Sequence, residues 1–367
     1  MQFSFAVHDF KDSLKSRSKL KFNRFEHQSI VISTTNDHSC LLSFLADDLF
    51  ISFSLPAHII EPGNVSIDFK TFFNLLKNPK SDIGLIQSRD NGSVSVSFDD
   101  HSFSVPSSKK FSLPSLPDSP DSSFVISSSL FSYWFPCLLT VIGNPDVKSR
   151  DFTNFCNFRC DGNFIFAEAT DTFRLIHTKF NNLDHCPNFQ FLLHKNALLL
   201  LRALASKSGG ISFQLFTNFI RISFDNCSIL SVRHSFSFPP AHKVIDDHSS
   251  SNVRAVLDSQ SLILSLDNIL PLVDNTYKTV SISFHSDHIS LDVFSNDGAS
   301  IASAPVFGSI SGHMNPCKLN ALFLRNILKP LASFSELVVL SCSKPNNPVV
   351  ISLPDNDEFI ALISTIK

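Results

Sequence analysis

At 367 residues the chain is long enough for two or three domains with substantial cores, and its 43% hydrophobic and 17% charged content excludes wholesale disorder. A net charge of −3 does not announce a nucleic-acid binder by bulk charge, although basic and acidic surfaces that offset each other give the same sum. The opening MQFSFAVHDFKDS lacks a basic-then-apolar signal pattern and no apolar run reaches about 18 residues, so no membrane span is expected.

The eight scattered cysteines then read as reduced, mostly buried thiols of a cytosolic protein. The 38 phenylalanines alternate repeatedly with serine, the period of half-buried strands with one solvated face.

The first third opens with a strand at Gln2–Ala6 and a helix over about 8–19. Lys11, Lys15 and Lys19 fall at i, i+4 and i+8 on that helix as a basic stripe, Phe10 and Leu14 lie on another face, and Lys21 and Arg24 extend the cluster. Two alternating strands frame Asp47-Asp48, a Glu-Pro-Gly turn follows at 61–63, and a helix starts near Lys70. Strands at 93–98 and 102–105 meet at an Asp-Asp turn, and the Pro/Ser-rich 106–122 reads as a linker.

In the middle third, a strand at 124–126 leads to a helix over 128–142 that Pro136 should kink or break. The alternation Phe155, Asn157, then Phe164, Phe166 around Asp161-Gly162-Asn163 predicts a hairpin. A second helix, His194–Ser206, places Lys195 and Arg202 seven apart on one face, and strands follow at 211–216 and 219–224. The last third repeats the plan. It has a strand at Asn252–Leu257, a helix at Ser259–Leu272, strands at 279–284 and 288–294, and a helix over about 318–331 carrying Lys318, Arg325 and Lys329. Two strands around an acidic turn end the chain, which divides into units 1–122, 123–246 and 247–367.

The stretch 148–177 organises this reading. Arg150, Thr153-Asn154, Asp161-Gly162, Ala169-Thr170-Asp171 and Arg174-Leu175 follow one another in an order and spacing that resemble the middle-domain signature of the bacterial DNA sliding clamp, the beta subunit of DNA polymerase III. Ala46-Asp47-Asp48-Leu49, Phe238-Pro239 and Lys243-Val244-Ile245 match further places. The chain departs from that pattern at Thr172-Phe173, where the family has Gly-His, and at its end, Leu362-Ile363-Ser364-Thr365-Ile366-Lys367.

The resemblance implies an α+β fold of three similar clamp domains, with antiparallel sheets outside and helices lining a central hole, closed head-to-tail as a homodimeric ring. It implies a non-catalytic processivity factor without cofactor, cytoplasmic and nucleoid-associated, that encircles double-stranded DNA and tethers the replicative polymerase.

Sequence-blind sliding needs flexible cations against phosphate rather than base-edge readout. Lys11, Lys15, Lys19, Arg24, Lys195 and Arg202 are candidates, as are Lys318, Arg325 and Lys329. Lys148 and Arg150 match family positions that face the hole. Each alone reads equally as an ordinary solvated lysine or arginine.

The resemblance further implies a cleft between the second and third domains for short peptides of polymerase and clamp-loader subunits. Its walls would be Thr153, Thr170, Arg174, Leu175, Pro239 and Lys243, with Val244, Phe323, Val350, Leu362 and Ile363. The alternative is that these are core residues of two adjoining domains. For the dimer, the strand with Phe103 and Val105 would meet the region of Leu272 and Val273.

Catalytic readings find little support. Gly308-Ser309-Ile310-Ser311-Gly312 has isoleucine where a nucleophile elbow needs serine, and neither a phosphate loop nor a dinucleotide fingerprint is present. Cys156 and Cys160, with His177 and His185 downstream, are too spread for easy zinc chelation. Asp47-Asp48 and Asp246-Asp247 read as turn residues. A second reading, motivated by Thr172-Phe173 and the altered tail, is a clamp-derived β-rich interaction protein that no longer encircles DNA.

Overall fold

The computed structural model describes residues 1–18, 29–36, 38–46, 49–77, 81–89, 92–107, 114–143, 150–181, 188–204, 209–248, 250–295 and 297–366. The protein is α+β, and strand pairing is antiparallel throughout the described residues. It forms two compact units: Met1–Ser128 with Asn196–His234, and Ser129–Lys195 with Ser235–Lys367.

Each unit is built on one 12-stranded sheet. In the first, Leu49–Glu61 pairs along one stretch with Gln2–Ala6 and along another with Cys227–Val232, so strands of the first and middle thirds share a sheet. His101–Pro106 and Ser122–Ser127 end that strand order. In the second, Arg174–Asn181 pairs with Asn356–Ile363 and so joins middle-third and last-third strands.

Alternation builds these strands as the Phe/Ser pattern predicts. Gln2–Ala6 buries Phe3 and Phe5, which pack with Phe10 of the helix Val7–Ser18 and Phe72 of the helix Phe69–Leu75 at ring separations of 4.3–6.4 Å. These rings form the first unit's helix-to-sheet core. In the second unit Trp134 and Phe135 of the helix Ser128–Leu139 stack on Phe359 and Phe158. No helix among the described residues is long and apolar enough to cross a membrane.

Among the described residues, six helices follow directly on a strand, and at three of these junctions a side chain caps the helix. Asp68 accepts from the Thr71 N–H at 2.8 Å, Asp258 from Ser261 at 2.7 Å, and Asn320 from Phe323 at 2.9 Å. The last cap corrects an expectation. The helix begins at Ala321, and Lys318 lies on the strand Cys317–Asn320, in register with Ser281. Periodicity alone placed Lys318 at the start of the helix, whereas the Asn320 cap starts the helix beyond it.

Other boundaries shift in the same way. The helix expected over 259–272 ends at Ile269, and Pro271 sits in a 3-10 turn, Leu270–Leu272. The helix expected to reach 142 ends at Leu139 with Pro136 inside it. The strand Cys227–Val232 and the short helix Ala241–Asp246 were not anticipated.

Candidate functional site: an apolar cleft and a set of paired cations

The strands Phe164–Thr170 and Arg174–Asn181 are joined by the tight turn Asp171-Thr172-Phe173. Asp171 is fully buried and organises it. Its Oδ1 accepts the Phe173 and Arg174 N–H groups at 3.1 and 2.7 Å. Its Oδ2 accepts both Arg174 Nε and Nη2, at 3.0 and 2.7 Å, in a charge-assisted ion pair. Thr170 Oγ1 donates to the Arg174 carbonyl at 2.6 Å and accepts the Thr172 N–H at 3.1 Å. Thr172 itself sits at φ +76°, a left-handed conformation that threonine adopts at a cost. The Arg174 guanidinium lies over the Phe323 ring at 4.1 Å.

Beside this turn lies a cavity of about 250 Å³. Its floor is Leu175 and Leu362, which stand opposite each other on neighbouring strands, with Val350 of the next strand opposite Leu362 behind them. Ala241 joins Leu175 and Leu362 in one apolar cluster, with Ile245, Val350 and Ile360 packed against it. Thr170, Arg174, Pro239 and Val244 form walls, while Arg150, Phe173 and Ser364 stand at the exposed rim.

Thus Thr170, Arg174, Leu175, Pro239, Val244 and Leu362 line one cavity, Val350 packs behind its floor, and Phe323 supports Arg174. Ile363 is wholly buried, opposite Arg174 in the sheet. Thr153 is buried in the 3-10 turn Asp151–Asn154, its hydroxyl donating to the Arg150 carbonyl at 2.8 Å, and it does not line the cavity. Lys243 is exposed on the helix Ala241–Asp246 and is not a wall residue either.

Most of the expected cations with described side chains are engaged within the protein. Lys11 Nζ donates to the Lys77 carbonyl at 2.6 Å, and Lys15 pairs with Asp12 at 2.8 Å. Lys195 is partly buried with Nζ 3.4 Å from the Gly143 carbonyl, and desolvation by burial pushes its ammonium below the ordinary lysine value. Arg325 and Lys329 both reach Asp267. Arg202 is exposed in the last turn of the helix Lys195–Leu204, and Arg150 is exposed at the cleft rim. Lys19, Arg24 and Lys148 lie outside the described residues.

Of the residues expected at a dimer contact, Phe103 is exposed and Val105 buried on the terminal strand His101–Pro106. Leu272 is exposed in its 3-10 turn, and Val273 is buried. A shallow concavity of about 1070 Å³ runs from Leu272 past Tyr277 to Phe294 and Ile301, all four exposed. The strand Ser300–Gly312 pairs with His288–Phe294 over its first half, and Val253–Asp258 joins it only from Gly308 onward.

Among the described residues no three His, Cys, Asp or Glu side chains converge on a metal site. His177 Nδ1 instead bonds the buried Glu168 at 3.0 Å, and Gly308-Ser309-Ile310-Ser311-Gly312 is plain strand. Asp246 and Asp247 close the short helix, whereas Asp47, Asp48 and His185 lie outside the described residues.

No family model matches the sequence, and no curated protein matches it either. Solved structures do match over the whole chain. The DNA polymerase III subunit beta of Pseudomonas aeruginosa superposes with a TM-score of 0.89 at 16% identity, covering 100% of both chains. The DNA polymerase sliding clamp of Bacillus subtilis gives 0.88 at 14% identity over 100% of this chain and 99% of that one. A putative DNA polymerase III beta subunit from Eubacterium rectale gives 0.88 at 16% identity over 100% of both.

The fold is that of the bacterial sliding clamp. At such identity the agreement concerns the fold, and the chemistry must come from this chain's own side chains. Seven lining residues escaped the sequence reading of the cleft: Arg150, Phe152, Thr172, Phe173, Ala241, Pro348 and Ser364. Ala241 comes from the unanticipated short helix, whose start just after Phe238-Pro239-Pro240 was the available signal. Phe173, 51% exposed, is displayed by the Asp171 turn.

Proposed function

We propose that the protein is a DNA sliding clamp. It encircles duplex DNA as a head-to-tail homodimer of three clamp domains per chain, 1–122, 123–246 and 247–367, and tethers the replicative polymerase without catalysing a reaction itself. The observation that carries this reading is the match of the whole chain, end to end, to solved clamps. The cleft supports it: an apolar floor, a buried guanidinium and an exposed basic rim suit short peptides with apolar anchors, presented in turn by polymerase and clamp-loader subunits. The exposed Leu272, Tyr277, Phe294 and Ile301 beside a half-paired strand would seat the partner's edge strand, with Phe103 on the opposite side of the junction. The setting is cytoplasmic, at the nucleoid.

The test is solution mass followed by retention on DNA. Light scattering should give twice the 40.8 kDa chain mass. Protein loaded on nicked circular DNA should stay, and should leave once the circle is cut. Val244→Glu, at the 38% exposed cleft wall, should abolish polymerase capture while the dimer persists. A monomer, or equal salt-sensitive binding to circular and linear DNA, overturns the ring. It would favour a clamp-derived interaction protein, the reading suggested by how many cations are already paired within the chain.

A further inference from the structure

The helix Ser259–Ile269 contains no lysine or arginine, and Asp267 is its only charged residue. On the neighbouring helix Ala321–Leu331, Arg325 and Lys329 are four apart and therefore share a face. Both converge on the one carboxylate: Arg325 Nε on Oδ1, and Lys329 Nζ at 4.0 Å from Oδ2. All three side chains are reached by water, with exposures of 38% for Asp267, 25% for Arg325 and 46% for Lys329. An exposed pair of this kind exchanges partners at little cost. The first unit repeats the device, with Asp12 holding Lys15 from one turn away.

We propose that Asp267 is a built-in stand-in for a nucleic-acid phosphate: it occupies Arg325 and Lys329 in the unbound protein, so that duplex DNA engages this helix pair only by displacing a carboxylate. This rests on the clamp reading above, and it specifies how strongly that clamp touches DNA. Two cations against one carboxylate leave this face with a net charge of +1. When phosphate replaces Asp267, fewer condensed counterions are released per contact than from free cations, so contact is weak and shallow in its salt dependence. A sliding protein gains from such short-lived contact, because each phosphate is given up as readily as it is taken.

The experiment measures anisotropy of a labelled linear duplex with wild type, Asp267→Asn and Asp267→Ser across a salt series, beside wild-type retention on nicked circular DNA. Freeing the two cations should tighten duplex binding roughly 3- to 10-fold at low salt. It should also steepen the slope of log affinity against log salt by about 1 to 2. Arg325→Gln with Lys329→Gln, added to Asp267→Asn, should abolish that gain. Wild-type slope and affinity in both Asp267 variants overturns the proposal, as does a gain that survives loss of the two cations. Loss of circular-DNA retention in the wild type falls on the ring reading instead, which separates the two failures.

Discussion

Two Arg–Asp pairs in the second unit use the same chemistry in opposite surroundings. Asp171 and Arg174 are 0% and 3% exposed, whereas Asp267 and Arg325 are 38% and 25% exposed. The first carboxylate also accepts two backbone N–H groups and fixes the turn that carries Phe173. The second joins two helices through side chains alone. A buried ion pair is expensive to break because the surviving charge has no water, while an exposed one is worth little to stability and is therefore free to be exchanged. The cleft is thus preorganised, and the helix face is adjustable.

Breaking the buried pair should have the largest effect. Asp171→Ala leaves the Arg174 guanidinium unpaired beneath Phe323 and removes the acceptor of two turn N–H groups, so a loss of about 3–5 kcal/mol is expected in denaturant unfolding. The aromatic and apolar cleft should lose its shape with it. A loss below about 1 kcal/mol would mean that the turn is held by its strands alone.

Next comes Glu168, 1% exposed, whose carboxylate accepts from Asn157 Nδ2 at 2.8 Å, His177 Nδ1 at 3.0 Å and Arg159 Nε at 3.3 Å. Burial pushes this carboxyl up, but the hydrogen bonds of His177 and Asn157 and the charges of His177 and Arg159 outweigh it and hold the group below its ordinary value. A carboxyl depressed in the folded state stabilises above its unfolded value, and that stability is lost as pH falls through the folded value. Stability should therefore drop in acid below the ordinary carboxylate range, and Glu168→Gln should flatten that part of the profile. At neutral pH the same change should cost about 2–3 kcal/mol, through hydrogen bonds to charged partners.

Smaller still is a helix cap. Asp258→Ala removes the acceptor of the Ser261 N–H and should lower stability by about 1 kcal/mol without altering the cleft. Residue types carried only part of the fold: the strand Gln2–Ala6 and the hairpin around Asp161-Gly162-Asn163 were plain from alternation and turn chemistry, whereas the caps Asp68 and Asp258, each between a strand and a helix, were not singled out. The cleft floor was legible only in part. Leu175, Val350 and Leu362 could be named singly, but their alignment depends on the register between the strand Arg174–Asn181 and a hairpin far along the sequence, which no local pattern encodes. The partners of the basic residues were not legible at all. A lysine stripe looks the same whether its charges are free or, as for Lys11 and Lys15, already held by a carbonyl or a carboxylate.

The smallest stability effect belongs to the exposed pair, and its smallness is informative. Asp267→Asn should shift unfolding by less than about 0.5 kcal/mol, because two partly solvated helices lose only screened contacts, to Arg325 and Lys329, while Leu266 and Leu328, both fully buried, keep their packing. Measured against Asp171→Ala in the same denaturant titration, it sets the two pairs on one scale. A large loss at Asp267 would mean that the carboxylate is needed to hold the helices together and is not available for exchange with phosphate. A negligible loss, with DNA affinity changed, would separate binding from folding at this position, as an exchangeable counter-ion requires.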